Sequence, residues 1–320
     1  MRKIVVLDGY VANPGDLSWG PLESLGELIV YDRSAPEEVA ARIGDAEIVL
    51  TNKVDITAEI MDVCPSLRFI GEMATGYNNI DVVAAKARGI LVTNIPAYST
   101  ASVAQMVFAF LLEIAQQIVP HSNAVHTGRW TNCEDFCFRD YPLFELEGKT
   151  LGIIGYGAIG KRVAKIAVAL GMKVLAYSRT YRPELSIEDV KIVTLDELLA
   201  YSQVITLHFP QNDDSINFIN QETIAQMQDG VILINTARGG CVVERDLREA
   251  LESGKISWYA ADVLSTEPPT EDNPLLGAPN SLITPHIAWM TMEARTRLLQ
   301  VAYENVKAYI EGSPVHVVNP

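Results

Sequence analysis

The sequence predicts an α/β protein with two parallel sheets. Three observations carry that prediction. Short β-branched runs recur along the chain, each followed by a Gly/Pro/Asp turn and then a helical stretch, the alternation of parallel strands with crossover helices. These runs fall into two sets, separated by the apolar and nearly breaker-free segment Ser99 to Ile118. At 320 residues the chain also exceeds what one hydrophobic core usually organises, so two domains are expected.

The first set comprises Ile4 to Leu7, Leu28 to Tyr31, Ile48 to Thr51, Phe69 to Gly71 and Leu91 to Asn94. The second runs through Thr150 to Gly155, Lys173 to Tyr177, Lys191 to Val193, Val204 to Leu207, Val231 to Asn235, Tyr259 to Val263 and Leu282 to Thr284. Between them Ser99 to Ile118, rich in Ala, Val, Phe and Leu, reads as one long buried helix. After the last strand, a helix over Met292 to Tyr309 returns the chain toward the first domain, and Pro314 to Pro320 reads as an extended tail. The first domain is therefore expected to be discontinuous, 1–98 plus 290–320, around a second domain at 99–289.

Composition excludes several classes. A formal net charge of −15, with no Lys/Arg run, leaves little attraction for nucleic acid or anionic lipid. A small anionic substrate stays compatible, because a few cations and N–H groups can dominate a cleft. The apolar run after Arg2 and Lys3 is too short for a signal peptide, and no segment approaches the roughly 20 apolar residues of a membrane span. A cytoplasmic protein without membrane partners is expected. Cys64, Cys133, Cys137 and Cys241 form no disulfide framework, and with no completing His or Cys pair near Cys133 and Cys137, no metal site is expected.

The sharpest motif is Leu151-Gly-Ile-Ile-Gly155-Tyr-Gly157-Ala-Ile-Gly160, an apolar strand running into three glycines at dinucleotide spacing and then a helix. Gly155 permits the tight turn, Gly157 lets backbone approach a pyrophosphate, and Gly160 lets helix pack on strand. At the end of the next strand, where an acid normally grips the ribose of NAD, the chain has Ser178-Arg179-Thr180. A hydroxyl and a guanidinium suit a 2′-phosphate, which points to NADP; alternatively Arg179 stacks on adenine or sits in solvent while NAD binds.

Three polar residues follow strands of the second set: Arg238, Glu267 and His286. Carboxyl ends of parallel strands face the ligand crevice, so all three can converge. Reducing a 2-keto acid needs a proton for the carbonyl oxygen and positive charge to hold the carboxylate. His286 suits the first task, with Glu267 orienting its ring, and the forked guanidinium of Arg238 suits the second.

Together the glycine fingerprint, Asn235-Thr-Ala-Arg238-Gly, the Asp262 to Glu267-Pro stretch and Pro285-His286 resemble the D-isomer-specific 2-hydroxyacid dehydrogenase family, over nearly the whole chain. The resemblance implies a Rossmann-type cofactor domain inserted into a discontinuous flavodoxin-like substrate domain, and a homodimer joined through cofactor domains. It also implies that Arg238, Glu267 and His286 are the catalytic triad. Backbone N–H groups near Thr75 and Gly76, in Ala74-Thr-Gly-Tyr-Asn-Asn-Ile-Asp81, would bind the substrate carboxylate. By the same resemblance Thr100, Ala158, Ile159, Thr236 and Ala237 contact the cofactor, Asp262 holds the nicotinamide carboxamide, and Thr206-Leu-His208-Phe-Pro210 walls the adenosine. His208 is given no catalytic role.

Within the family, Leu50-Thr-Asn52-Lys53, Asn94-Ile-Pro-Ala-Tyr98-Ser-Thr100, Trp130 and Pro285-His-Ile-Ala-Trp289 are similar to the glycerate dehydrogenase, or hydroxypyruvate reductase, branch. Asn52, Lys53 and Tyr98 either meet the hydroxymethyl end of hydroxypyruvate or are loop residues in solvent. Other readings keep the chemistry and change the substrate to glyoxylate, a bulkier aliphatic keto acid or a phosphorylated glycerate. A non-catalytic, nucleotide-gated corepressor-like binding module is a reading of another class.

Overall fold

A computed structural model describes residues 2–180, 186 and 189–320. The chain divides into two compact units, residues 1–99 with 289–320, and residues 100–288.

The first unit is built on five parallel strands, β1 (Lys3–Val6), β2 (Glu27–Val30), β3 (Ile48–Thr51), β4 (Phe69–Glu72) and β5 (Leu91–Thr93), in the order β2-β1-β3-β4-β5. Both faces are covered, which is why the strands read as near-continuous apolar runs. Ile4, Val6, Leu50 and Phe69 pack with Leu298, Ala302 and Val306 of the Met292–Ile310 helix. Val5, Leu7, Val49 and Ile70 pack on the opposite face with Val39, Met61 and Ala85. The C-terminal tail, read as merely extended, lies along β5: Val317 bridges Thr93 antiparallel, and Val318 N–H donates to Val92 O at 2.9 Å. The Asn319 amide completes the edge, donating to Ile90 O and accepting from Val92 N–H, each at 2.8 Å. A strand edge that would otherwise offer open backbone groups is thereby closed.

Among its described residues the second unit has seven parallel strands, β6 (Thr150–Ile154), β7 (Lys173–Tyr177), β8 (Val190–Ile192), β9 (Val204–Leu207), β10 (Val231–Asn235), β11 (Ile256–Ala261) and β12 (Ser281–Ile283). Their order is β12-β11-β10-β9-β6-β7-β8, so the direction of winding reverses between β6 and β9. At such a reversal the crossovers leave on opposite faces and open a crevice at the strand carboxyl ends. β11 starts three residues before its expected position, at Ile256, because a register shift beside Val231 and Ile232 breaks its alternation.

Helix Thr100–Gln116 buries Val107, Phe108, Leu111 and Ile114 against Leu151, Ile153 and Val174. The expectation of one helix from Ser99 to Ile118 needs correction. Gln117 takes the left-handed conformation (φ 48°, ψ 47°), and a second helix, Ile118–His126, leaves at a bend of 57°. Gln117 makes the break itself: its N–H donates to Glu113 O at 2.7 Å and its side-chain amide to Ile114 O at 3.1 Å, closing carbonyls the ending helix leaves open. Among the described residues no single helix is long and apolar enough to cross a membrane.

Candidate active site

In the 100–288 unit the glycine fingerprint, the Ser178–Thr180 and His208–Pro210 segments, and Thr236, Arg238, Asp262, Glu267 and His286 lie at or beyond the carboxyl ends of strands, whereas Thr100 opens a helix. β6 is followed directly by Gly155, whose φ of +101° is closed to most side chains. A Cβ there would also lie 2.4 Å from His208 O, on the neighbouring strand. Gly160 touches the same turn: its Cβ would sit 2.2 Å from Gly155 O. Gly157 is the opposite case, an exposed N-cap of helix Ala158–Ala169 whose missing Cβ would project into open space. The result is a bare backbone approach to a helix N-terminus with no acidic residue in its first turn, the arrangement that receives a phosphate.

Beyond β9 and β10 lie two buried polar atoms without a hydrogen-bond partner among the described residues, His208 Nδ1, beside this turn, and Thr236 Oγ1. Burial pulls the His208 imidazole down to about 3, so it is neutral, and its Nε2 lies 2.9 Å from Thr206 Oγ1. Pro210 and Ala237 flank these residues, and Ala158 and Ile159 form the first turn of the helix. Ser178 is half-buried at the end of β7. Arg179 and Thr180 are exposed, with Arg179 Nη1 3.6 Å from the equally exposed Asp214 carboxylate. Thr100 opens helix Thr100–Gln116.

The polar trio follows three different strands. After β10, the fully buried Asn235 locks the turn: its Oδ1 accepts from Ala237 N–H at 2.9 Å and its Nδ2 donates to Arg238 O at 3.0 Å. Arg238 uses one donor of its fork on Ala237 O at 2.8 Å. Gly239 lets this loop meet the next, since a Cβ there would lie 1.9 Å from the backbone of Leu264. In that second loop Glu267 Oε1 accepts from Leu264 N–H at 3.0 Å, and Glu267 Oε2 lies 2.6 Å from His286 Nδ1. Glu267 and His286 are thus brought together as read from the sequence.

His286 stands in a left-handed backbone conformation, φ 55°, uncommon outside glycine. Asp262 holds it there. Its carboxylate, 2 % exposed, accepts from Thr284 Oγ1 at 2.5 Å, Ile287 N–H at 2.8 Å and Ala288 N–H at 2.7 Å, clamping the loop on both sides of His286. The sequence marked Asp262 but gave no hint of this clamp, because its partners lie more than twenty residues away.

In the 1–99 and 289–320 unit, the loop after β4 carries Thr75 and Gly76. Thr75 Oγ1 donates to Ile95 O at 2.8 Å. Asn52 is 3 % exposed and its amide donates to Met73 O at 2.6 Å, so its side chain frames the loop from inside. Lys53 is exposed on the same turn, and Tyr98 is buried against Trp289, ring centroids 6.3 Å apart. Two acids that sequence reasoning missed sit beside them. Asp8, after β1, accepts from the N–H groups of Asn52, Lys53 and Val54 at 2.8, 2.6 and 3.2 Å. Glu72 ends β4 at 1 % exposure, with Oε2 accepting from Asn79 Nδ2 at 3.0 Å and Oε1 unpartnered. Burial, reinforced by Asp8, pushes its carboxyl well above the usual range.

Comparison with known proteins agrees with this arrangement. Residues 108–288 match the model of the D-isomer specific 2-hydroxyacid dehydrogenase NAD binding domain. The chain is 54 % identical over 320 residues to a hydroxypyruvate reductase from Blautia hydrogenotrophica, covering 99 % of each chain. It is 43 % identical over 285 residues to a glycerate dehydrogenase from Methylorubrum extorquens, 88 % of each. Among solved structures, D-lactate dehydrogenase from Aquifex aeolicus, complexed with NAD and lactic acid, superposes with a TM-score of 0.87 at 31 % identity, over 100 % of this chain and 99 % of that one. The chain belongs to the D-isomer specific 2-hydroxyacid dehydrogenase family and is an oxidoreductase that uses a nicotinamide dinucleotide.

Proposed function

We propose that the protein reduces hydroxypyruvate to D-glycerate with Arg238, Glu267 and His286 as its catalytic residues. The observation that carries the substrate is the 54 % identity, end to end, to a hydroxypyruvate reductase. The hydrogen-bonded Glu267 and His286 pair supports the chemistry.

The cradle fits the cofactor. Gly157 presents backbone with open space above it, and His208 Nδ1 and Thr236 Oγ1 are buried polar atoms that lack partners among the described residues. Gly155 to Gly160 would hold the pyrophosphate, with Thr236, Ala237, His208, Pro210 and Thr100 lining the rest. When bound, the reduced nicotinamide supplies a hydride for the second carbon of the keto acid. Arg238 holds the carboxylate and the carbonyl oxygen, countering the charge that grows on that oxygen. Because Glu267 accepts at Nδ1 of His286, the opposite nitrogen, Nε2, carries the transferable proton and delivers it to the oxygen, completing the alcohol. The Thr75 and Gly76 N–H groups bind the substrate carboxylate. Asn52 is a frame for that loop, which leaves Lys53 as the polar side chain of its turn available to a ligand.

Arg179 favours NADPH over NADH, with the exposed Asp214 carboxylate as a counter-charge that a 2′-phosphate displaces. A homodimer is expected through the 100–288 unit, where Ile118, Val119, Trp130 and Phe136 are exposed at 58, 57, 52 and 90 %.

The test is a spectrophotometric panel of hydroxypyruvate, glyoxylate, pyruvate and a bulkier aliphatic keto acid, each with NADH and NADPH. The highest kcat/KM is expected for hydroxypyruvate with NADPH. Preference for a bulkier acid overturns the substrate, and NADH preference overturns the role given to Arg179.

A further inference from the structure

We infer that the C-terminal tail is part of the keto-acid-binding apparatus, with His316 and Asn94 as positioning residues that aim the Thr75 and Gly76 N–H groups. The inference rests on the reading above that these amides bind the substrate carboxylate.

The chain of contacts begins on the tail. His316 has a left-handed backbone, φ 54°, and its Nδ1 lies 2.8 Å from Asn305 Oδ1. Asn305, 1 % exposed on the Met292–Ile310 helix, donates through Nδ2 to Asn94 O at 3.0 Å. With Nδ2 of Asn305 donating there, its Oδ1 is the acceptor, so His316 carries its hydrogen on Nδ1. The tail grips Asn94 a second time, since Asn94 N–H donates to His316 O at 3.2 Å. Both backbone groups of Asn94 are thereby fixed from the C-terminal end of the chain.

Asn94 and its neighbour act in turn on the loop. Asn94 Nδ2 donates to Thr75 O at 2.8 Å, and Ile95 N–H donates to Ala74 O at 2.9 Å. A trans peptide is planar, with its C=O and the following N–H pointing in opposite directions. Drawing Ala74 O and Thr75 O toward β5 therefore turns the N–H groups of Thr75 and Gly76 the other way, out of the sheet edge. Two donors converge because two carbonyls are pulled back, and the pull traces to His316 and Asn305. This explains why a seven-residue tail is pinned by side chains as well as by its backbone pairing with β5.

The experiment compares Asn94→Ala, His316→Ala and His316→Gln with the parent. For the two alanine variants KM for hydroxypyruvate should rise roughly three- to ten-fold, the effect of one misaligned hydrogen bond, with kcat and the KM for NADPH within two-fold of the parent. Glycolaldehyde, which lacks the carboxylate, should show an unchanged kcat/KM; a merely structural role would shift both substrates together. His316→Gln keeps a side-chain donor and should restore the parental KM. Gly76→Pro, which deletes one amide, separates the two levels. If it raises KM while Asn94→Ala and His316→Ala do not, the positioning role is wrong and the carboxylate loop stands. If it leaves KM unchanged, the carboxylate loop is wrong and the inference falls with it. Should Asn94→Ala fail to fold, His316→Ala, at an exposed position, decides the matter alone.

Discussion

At the scale of single residues, the acids divide by what surrounds them. Asp262 and Asp8 are buried carboxylates, each answered by three donors, and both organise loops. Glu72 has one donor and an unpartnered oxygen, and burial raises its carboxyl well above the ordinary value; burial raises Asp8 as well, against the opposing pull of its three N–H donors. A raised acid contributes stability that is fully present below its unfolded value, about 4.3, and is lost as pH climbs through the folded one. Glu72→Gln keeps the acceptor for Asn79 and removes the ionisation. Its melting temperature should match the parent near pH 4 and exceed it by a margin that widens as pH rises; a margin constant with pH contradicts the assignment. Arg238, Glu267 and His286 were legible in the sequence because each follows a strand within a marked turn. Glu72 and Asp8 were not, since an acid after a strand usually faces water, and what buries these two comes from other strands.

At the scale of elements, the strand–turn–helix around the glycine fingerprint is held by contact between backbones. The Gly160 Cβ position lies 2.2 Å from Gly155 O, and neither atom belongs to a flexible side chain that could swing aside. Gly160→Ala should therefore push the Ala158–Ala169 helix off β6, cost about 1–3 kcal/mol of stability, and weaken NADPH binding measured by fluorescence titration. An unchanged melting temperature and dissociation constant would show that the helix relaxes freely. This element was readable because glycine spacing marks a backbone requirement directly. The break at Gln117 was not, since Gln is a good helix former and the nearest breaker, Pro120, stands three residues on, in the first turn of the second helix, where proline is tolerated. The start of β11 was hidden in the same way, because its register shift answers to β10 and to nothing in its own residues.

At the scale of the whole molecule, each unit follows one rule: parallel strands bring polar residues to their carboxyl ends, and a crevice opens where winding reverses. In the 100–288 unit the reversal lies between β6 and β9, at Gly155 and His208; in the other it lies between β1 and β3, at Asp8 and Asn52. Periodicity and β-branched runs located the strands but not their order, because short apolar strands do not encode their neighbours. The tail's role was likewise invisible, since seven residues with two prolines and no pattern read as coil. We propose that His286 delivers the proton to the keto acid in this fold. The most direct measurement is kcat for hydroxypyruvate in His286→Ala, alongside NADPH affinity in the same preparation. A fall in kcat of roughly 10²- to 10⁴-fold with NADPH binding unchanged is expected; near-parental turnover by a variant that binds NADPH normally would remove His286 from the mechanism.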